Sequence, residues 1–392
     1  MTERKYYFQI DALKAMMIVL VIITHSVTIE DIFGKYNGSF WIRIAIPVFL
    51  IIMGFNMGLS FKQKGNASLR ELYSASYFKN KLERYVVPFL ILAVVSTVIG
   101  LLLYGLDFST MIETEHEGAN YELMVFLLFL PFHGPGNWFI ITIFQFIVVI
   151  PILFWSFDRR PKTILVLALV SDIIIQQVVY YLYYFNKTVT IETFYDSFIF
   201  RTSIVWFLTA VVLGLWFSKY GHNIRDKTNW FILILLPVSL IFIAFFQSRV
   251  LVFGSRVDIP VFGIIDIYLF GDYHFMFFPY AAFLFLLGMT FIPENSSNMV
   301  TKLVEKTGRA TYHILLFQIL YLAIFEVLFG TAEYVGIGEA LNQFISLPWD
   351  IIIPVINIIV CIALGILWYE VEKKLKKTMK RREAKALVNS II

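Results

Sequence analysis

Residues 10–26 read IDALKAMMIVLVIITHS, an apolar run that carries an acid and a lysine at one end and a histidine near the other. On a helix, Lys14 and His25 are separated by close to three whole turns, so they share a face and lie roughly 16 Å apart along the axis. Asp11 falls about 40° off that face, near enough to share a cavity with both. A charge inside a spanning helix costs about 2.5 kcal/mol or more on insertion scales, which makes each of these residues a functional candidate. Against this, Lys14 also fits a snorkelling anchor at the headgroups. His25, about two thirds of the way across, also fits a structural histidine bonded to a neighbouring helix.

The rest of the chain has the same character. Of its 392 residues 59 % are hydrophobic and only 15 % charged, and the mean hydropathy is +0.76, a composition that excludes an ordinary soluble globular protein. The single cysteine, Cys361, excludes a disulfide framework and a cysteine metal cluster. Run 10–26 has no small-residue cleavage site and reads as a retained first helix. Apolar runs of spanning length recur near 10–28, 41–60, 86–105, 138–157, 163–185, 200–217, 229–246, 274–292, 310–330 and 350–370.

Most of the 32 Lys and Arg residues fall between alternate runs, on the side of Arg4 and Lys5. By the positive-inside rule that side is cytoplasmic. The expected fold is an all-α polytopic membrane protein with about ten transmembrane helices and both termini cytoplasmic, set in the plasma membrane. Residues 1–371 form the expected transmembrane domain and 372–392 a basic cytoplasmic tail, whose charge suits topology and anionic headgroups. Membrane lipids, and no nucleic acid, are the partners expected of this charge. The opposite loops are acidic or long: 106–137 holds Glu113, Glu115, Glu117 and Glu122 and ends in PFHGPGN, and 247–273 is the second long one. Residues 123–130 are too short to cross and read as a re-entrant or interfacial piece.

No Gly-rich phosphate loop, HExxH, paired metal-spaced histidines or GxSxG elbow occurs. What remains is a scatter of polar residues within or beside the spans. Lys81 and Arg84, three apart at the inner mouth of the third span, point the same way on a helix. Such a pair suits a diphosphate, with Arg able to bind bidentately, although an ordinary positive-inside flank carries the same residues.

Taken in order, D-x-x-K-x10-H over 11–25, IPVFLIIMGF over 46–55, K-x-x-R at 81–84, NWFI over 137–140 with Pro151 downstream, Arg201 leading into FLTAVVLG, and GRATYHILLFQ over 308–318 resemble the acyltransferase-3 family of integral membrane acyltransferases. That family acylates hydroxyls of cell-envelope carbohydrates, and the resemblance covers essentially the whole chain. Family members usually have Arg where Lys14 stands, Ser-Gly at Met53-Gly54, and often His at Gln318. Lys14 keeps the charge but loses the bidentate fork, and Gln318 cannot act as a base.

The resemblance implies a membrane O-acyltransferase that moves an acyl group, acetyl before others, from cytoplasmic acyl-CoA to a hydroxyl of an envelope or lipid-linked glycan. His25 is then the general base, or carries the acyl group transiently. Asp11 orients or neutralises Lys14, and Lys14, Lys81 and Arg84 hold the donor phosphates, with no metal required. Glu326 is a second ionisable candidate if it faces the interior, and as an outer-end carboxylate it fits the headgroups equally well. Trp138, Asn137, Arg201, Tyr312 and Gln318 are candidates for substrate contact, although Trp and Tyr at span ends also form interfacial belts. A glycan exporter using intramembrane charges as its path is the rival class, and a receptor or scaffold is a third.

Overall fold

The computed structural model describes residues 6–27, 38–65, 67–115, 128–185, 202–245, 257–261, 265–269, 275–295, 298–329 and 349–389. Arg201, His274 and most of the 123–130 piece lie outside them. Each apolar run holds a helix: α1 (Phe8–Thr24), α2 (Ala45–Lys62), α3 (Val87–Leu103), α4 (Asn137–Arg159), α5 (Pro161–Phe185), α6 (Leu208–Tyr220), α7 (Trp230–Phe245), α8 (Phe278–Phe291), α9 (Met299–Phe329) and α10 (Trp349–Asn389). Among the described residues seven helical stretches are long and apolar enough to cross a membrane, and those ending in α6 and α8 are shorter apolar helices. The chain is therefore a multi-pass, all-helical membrane protein. It has one addition: strands β1 (Val257–Val261) and β2 (Ile265–Leu269) pair antiparallel within the second long loop, with Ile259 opposite Ile267.

Lipid tails are as apolar as leucine, so helices associate here through close van der Waals packing. The seam between α2 and α6 is built for it. A Cβ on Gly54 would lie 2.2 Å from the Val211 carbonyl oxygen, and one on Gly214 2.1 Å from that of Ile51. The apolar window of α2 is 78 % buried, against 28 % for α10 and 17 % for α5. So α2 is a hub, while α5 and α10 present most of their surface outward.

Helix α1 is fixed at both ends against α9 and α10. At one end a Cβ on Gly308 of α9 would meet the Asp11 carbonyl oxygen at 2.0 Å. At the other, Tyr321 Oη donates to Asn357 Oδ1 at 2.8 Å, and Asn357 Nδ2 donates to Ser26 Oγ at 3.0 Å. Helix α10 continues unbroken through residue 372 and far into the basic segment, so that segment begins as an extension of the bundle.

Because backbone atoms cannot yield to a new methyl as a flexible side chain can, Gly308→Ala is expected to pry α1 from α9 at a cost of about 1–3 kcal/mol. Thermal unfolding in detergent measures this, and an unchanged melting point would show that the seam relaxes freely.

Candidate active site

The cytoplasm-facing side inferred from charge carries a local break in helical geometry. Between the short helix Ala75–Lys81 and α3 the chain makes one π-helical turn, Leu82–Val86. The Val87 N–H bonds back to the Leu82 carbonyl, and Pro88 has no N–H to offer. The Glu83 carbonyl thereby loses both of its candidate backbone donors. Side chains take their place: Lys376 Nζ from α10 donates to the Glu83 carbonyl at 2.7 Å, and Tyr312 Oη from α9 donates to that of Tyr85 at 2.7 Å.

This turn presents two cations to one ring. The Arg84 guanidinium lies 5.3 Å and Lys81 Nζ 5.7 Å from the Tyr85 ring centre, and Lys81 is also 5.6 Å from that of Tyr77. Both line a cleft of about 1000 Å³ between the helices. Asp11, Lys14, Arg309, Lys373 and Lys376 line it as well, while Ile18, Val21, Ile46, Phe49, Phe139 and Leu315 give it an apolar part. Val21 is about 15 Å along α1 from Asp11, so the cleft runs from a charged mouth into an apolar throat.

Asp11 organises the mouth. Its buried carboxylate receives Lys14 Nζ at 2.6 Å and the Tyr6 hydroxyl at 2.9 Å, with Arg309 Nε at 3.6 Å. Burial and the adjoining carboxylate push the Tyr6 phenol well above its usual range, so it remains a donor. Arg309 also pairs with Glu305 at 2.6 Å. Lys14 is thus an interior partner of Asp11, which a headgroup anchor would not be. Arg84 has no carboxylate partner among the described residues, leaving its guanidinium available to a ligand anion.

Of the residues singled out from sequence, Asp11, Lys14, Lys81, Arg84 and Tyr312 come together on this cleft. His25 does not line it. It stands half-buried where α1 ends, one turn past Val21. Asn137 and Gln318 are buried, and the amide oxygen and nitrogen of each have no hydrogen-bond partner among the described residues. The two are close, since a Cβ on Gly136 would lie 3.9 Å from Gln318 Nε2. Neither lines the cleft, although Phe139, two residues after Asn137, and Leu315, one turn before Gln318, do. Trp138 stacks on Phe207 with ring centres 6.4 Å apart. Glu326 takes the outward of its two readings: it is exposed on α9, two turns past Gln318, and lies outside the cleft.

Sequence reasoning missed Tyr6, Arg309, His313, Glu372 and Lys376, all of which line the cleft. His313 was detectable as an ionisable residue inside a span. Glu372 and Lys376 were detectable as an i,i+4 pair. Among the described residues no group of His, Cys, Asp and Glu could hold a metal ion.

A family model described as an acyltransferase domain matches residues 7–368. No curated protein and no solved structure matches the chain.

Asp11→Asn should leave Lys14 as an unpaired charge, whereas Arg309 keeps Glu305. The expected loss is about 2–4 kcal/mol, near the low end for breaking a buried pair because Lys14 retains some exposure. Adding Lys14→Met should restore much of it, since the orphan charge goes too. Thermal unfolding of the two variants measures both effects, and additive losses would refute the pairing as the cause.

Proposed function

Because the chain belongs to the acyltransferase-3 family and is a membrane acyltransferase, we propose that it transfers an acyl group, acetyl before others, from cytoplasmic acyl-CoA to a hydroxyl of a cell-envelope or lipid-linked glycan. The observation that carries this reading is a single cleft with a cationic mouth, an apolar throat and unpartnered amides beside the throat's far end. Acyl-CoA has the matching order of parts: phosphates, a slender pantetheine arm and a polar thioester carbonyl.

In this reading Arg84 and Lys81, with Lys14, bind the donor phosphates at the mouth, and the bidentate fork of Arg84 makes it the main contact. The arm lies along Ile18, Val21, Phe49 and Phe139, which exclude water from it. The amides of Asn137 and Gln318 donate to the thioester carbonyl oxygen, where negative charge gathers as the acceptor attacks. His25 takes the proton from the acceptor hydroxyl as the new C–O bond forms. The C–S bond then breaks, and CoA leaves as a thiolate that regains a proton. Asp11 acts at a distance from this chemistry by holding Lys14 and Arg309 in place. Glu326 has no part in it.

CoA at a hundredfold excess over its Kd should stabilise the purified protein by about 2.7 kcal/mol, and a glycan exporter has no reason to respond. Arg84→Ala should raise the Kd for CoA on the order of tenfold or more. His25→Ala should abolish transfer while leaving CoA binding intact, and transfer at the wild-type rate would overturn its role as base.

Gln318→Leu separates function from folding. Removing an unpartnered buried amide should leave the melting point unchanged or raise it, while kcat falls on the order of a hundredfold, as for loss of an oxyanion donor. A fall in stability with unchanged kcat would make Gln318 a packing residue only.

A further inference from the structure

We infer that Lys376, held by Glu372 and His313, is a positioning residue for the donor-phosphate contact made by Arg84. This rests on the reading of the cleft mouth as the acyl-CoA site.

Pro88 and the Val87 N–H bond to Leu82 leave the Glu83 carbonyl without a backbone donor, and Lys376 Nζ supplies one at 2.7 Å. Arg84 is the next residue, so the ammonium that fixes the Glu83 carbonyl also fixes the peptide plane from which Arg84 projects. Lys376 is itself restrained: its Nζ bonds Glu372 Oε1 one turn back on α10, and Glu372 Oε2 accepts from His313 Nε2 of α9 at 2.9 Å. His313 is packed edge-on by Trp368 and Tyr369. The chain of contacts therefore runs from α9 through α10 to the π-turn, and His313, Glu372, Lys376 and Glu83 all line the cleft.

Charge balance gives the arrangement its purpose. Glu372 occupies the ammonium of Lys376, so Lys376 is bound to the turn and not offered to a ligand as a bare charge. Arg84 has no such acidic partner among the described residues. One cation is committed to geometry and the other is left to bind. Helix α10 thus reaches the turn that carries Arg84 through the Glu83 carbonyl, and part of the basic segment serves a purpose distinct from that of its exposed neighbours such as Lys377.

The test uses the full-length protein in detergent. Lys376→Ala should raise the Kd for CoA about tenfold, with kcat at saturating donor little changed, while Lys377→Ala, which removes the same charge, should leave the Kd alone. Lys376→Arg, which can still donate to the carbonyl, should recover most of the affinity. In an Arg84→Ala background, Lys376→Ala should add nothing further, because it acts through Arg84. Amide hydrogen exchange over residues 82–89 without ligand should quicken in Lys376→Ala and in Glu372→Gln. Additive effects of the two substitutions would overturn positioning in favour of direct phosphate contact, and unchanged exchange would overturn the clamp. No CoA binding by the wild-type protein would overturn the donor reading together with this role, whatever the exchange result.

Discussion

The structure depends on one carboxylate. A cluster of cations at the end of an apolar bundle repels itself and resists burial, and either effect alone costs several kcal/mol. Asp11 makes the cluster tolerable by sitting among Lys14, Arg309 and the hydroxyl of Tyr6. Its position is secured by backbone, because α1 and α9 touch where Gly308 leaves no room for even a methyl group. A long-range electrostatic requirement is thus met by a short-range steric one. The glycine sets the helix spacing, the spacing buries the acid, and the acid lets two cations line a cleft.

The opposite wall solves a different problem. Proline cannot continue the hydrogen-bond ladder, and a freed carbonyl next to hydrocarbon needs a donor. Widening one turn and recruiting Lys376 and Tyr312 satisfies that need with groups from two other helices. The result ties three segments distant in sequence, near residues 84, 312 and 376, to one rim. Helices α9 and α10 are therefore part of the site's construction, although the K-x-x-R pair belongs to neither.

How much of this was legible beforehand follows from the range of the forces involved. Spans are imposed by the bilayer over about 20 residues, so all ten runs could be located from the sequence. Asp11 and Lys14 are one helical turn apart, and their pairing is local. Arg309 and Lys376 look like flanking positive charge because each sits in a basic surround, and only packing shows which basic residue turns inward. Glu326 could not be decided for the same reason in reverse: an ionisable residue near a helix end faces inward or outward according to contacts that its own neighbours in sequence do not encode. The π-turn had a visible cause in Pro88, yet its consequence for the Glu83 carbonyl emerges only when the Val87 bond is seen.

The two ends of the cleft treat polarity in opposite ways, and the contrast bears on mechanism. At the mouth most charges are paired within the protein, and Arg84 alone among the K-x-x-R and α1 cations extends from a turn held by other helices. The amides of Asn137 and Gln318 are buried without a hydrogen-bond partner among the described residues. A buried amide left unmet costs about 1–3 kcal/mol, a penalty that leucine would not carry, and the proposed reading gives these two amides a partner in the ligand. A ligand carbonyl repays the penalty only while it is present. On the proposed reading, binding energy is therefore gathered at the mouth, where Arg84 is held in place but left to the ligand, and applied at the throat, where the two amides await a partner. His25 stands one turn past the last lining residue of α1. On the same reading that separation would give the donor and the acceptor different doors to one reaction point.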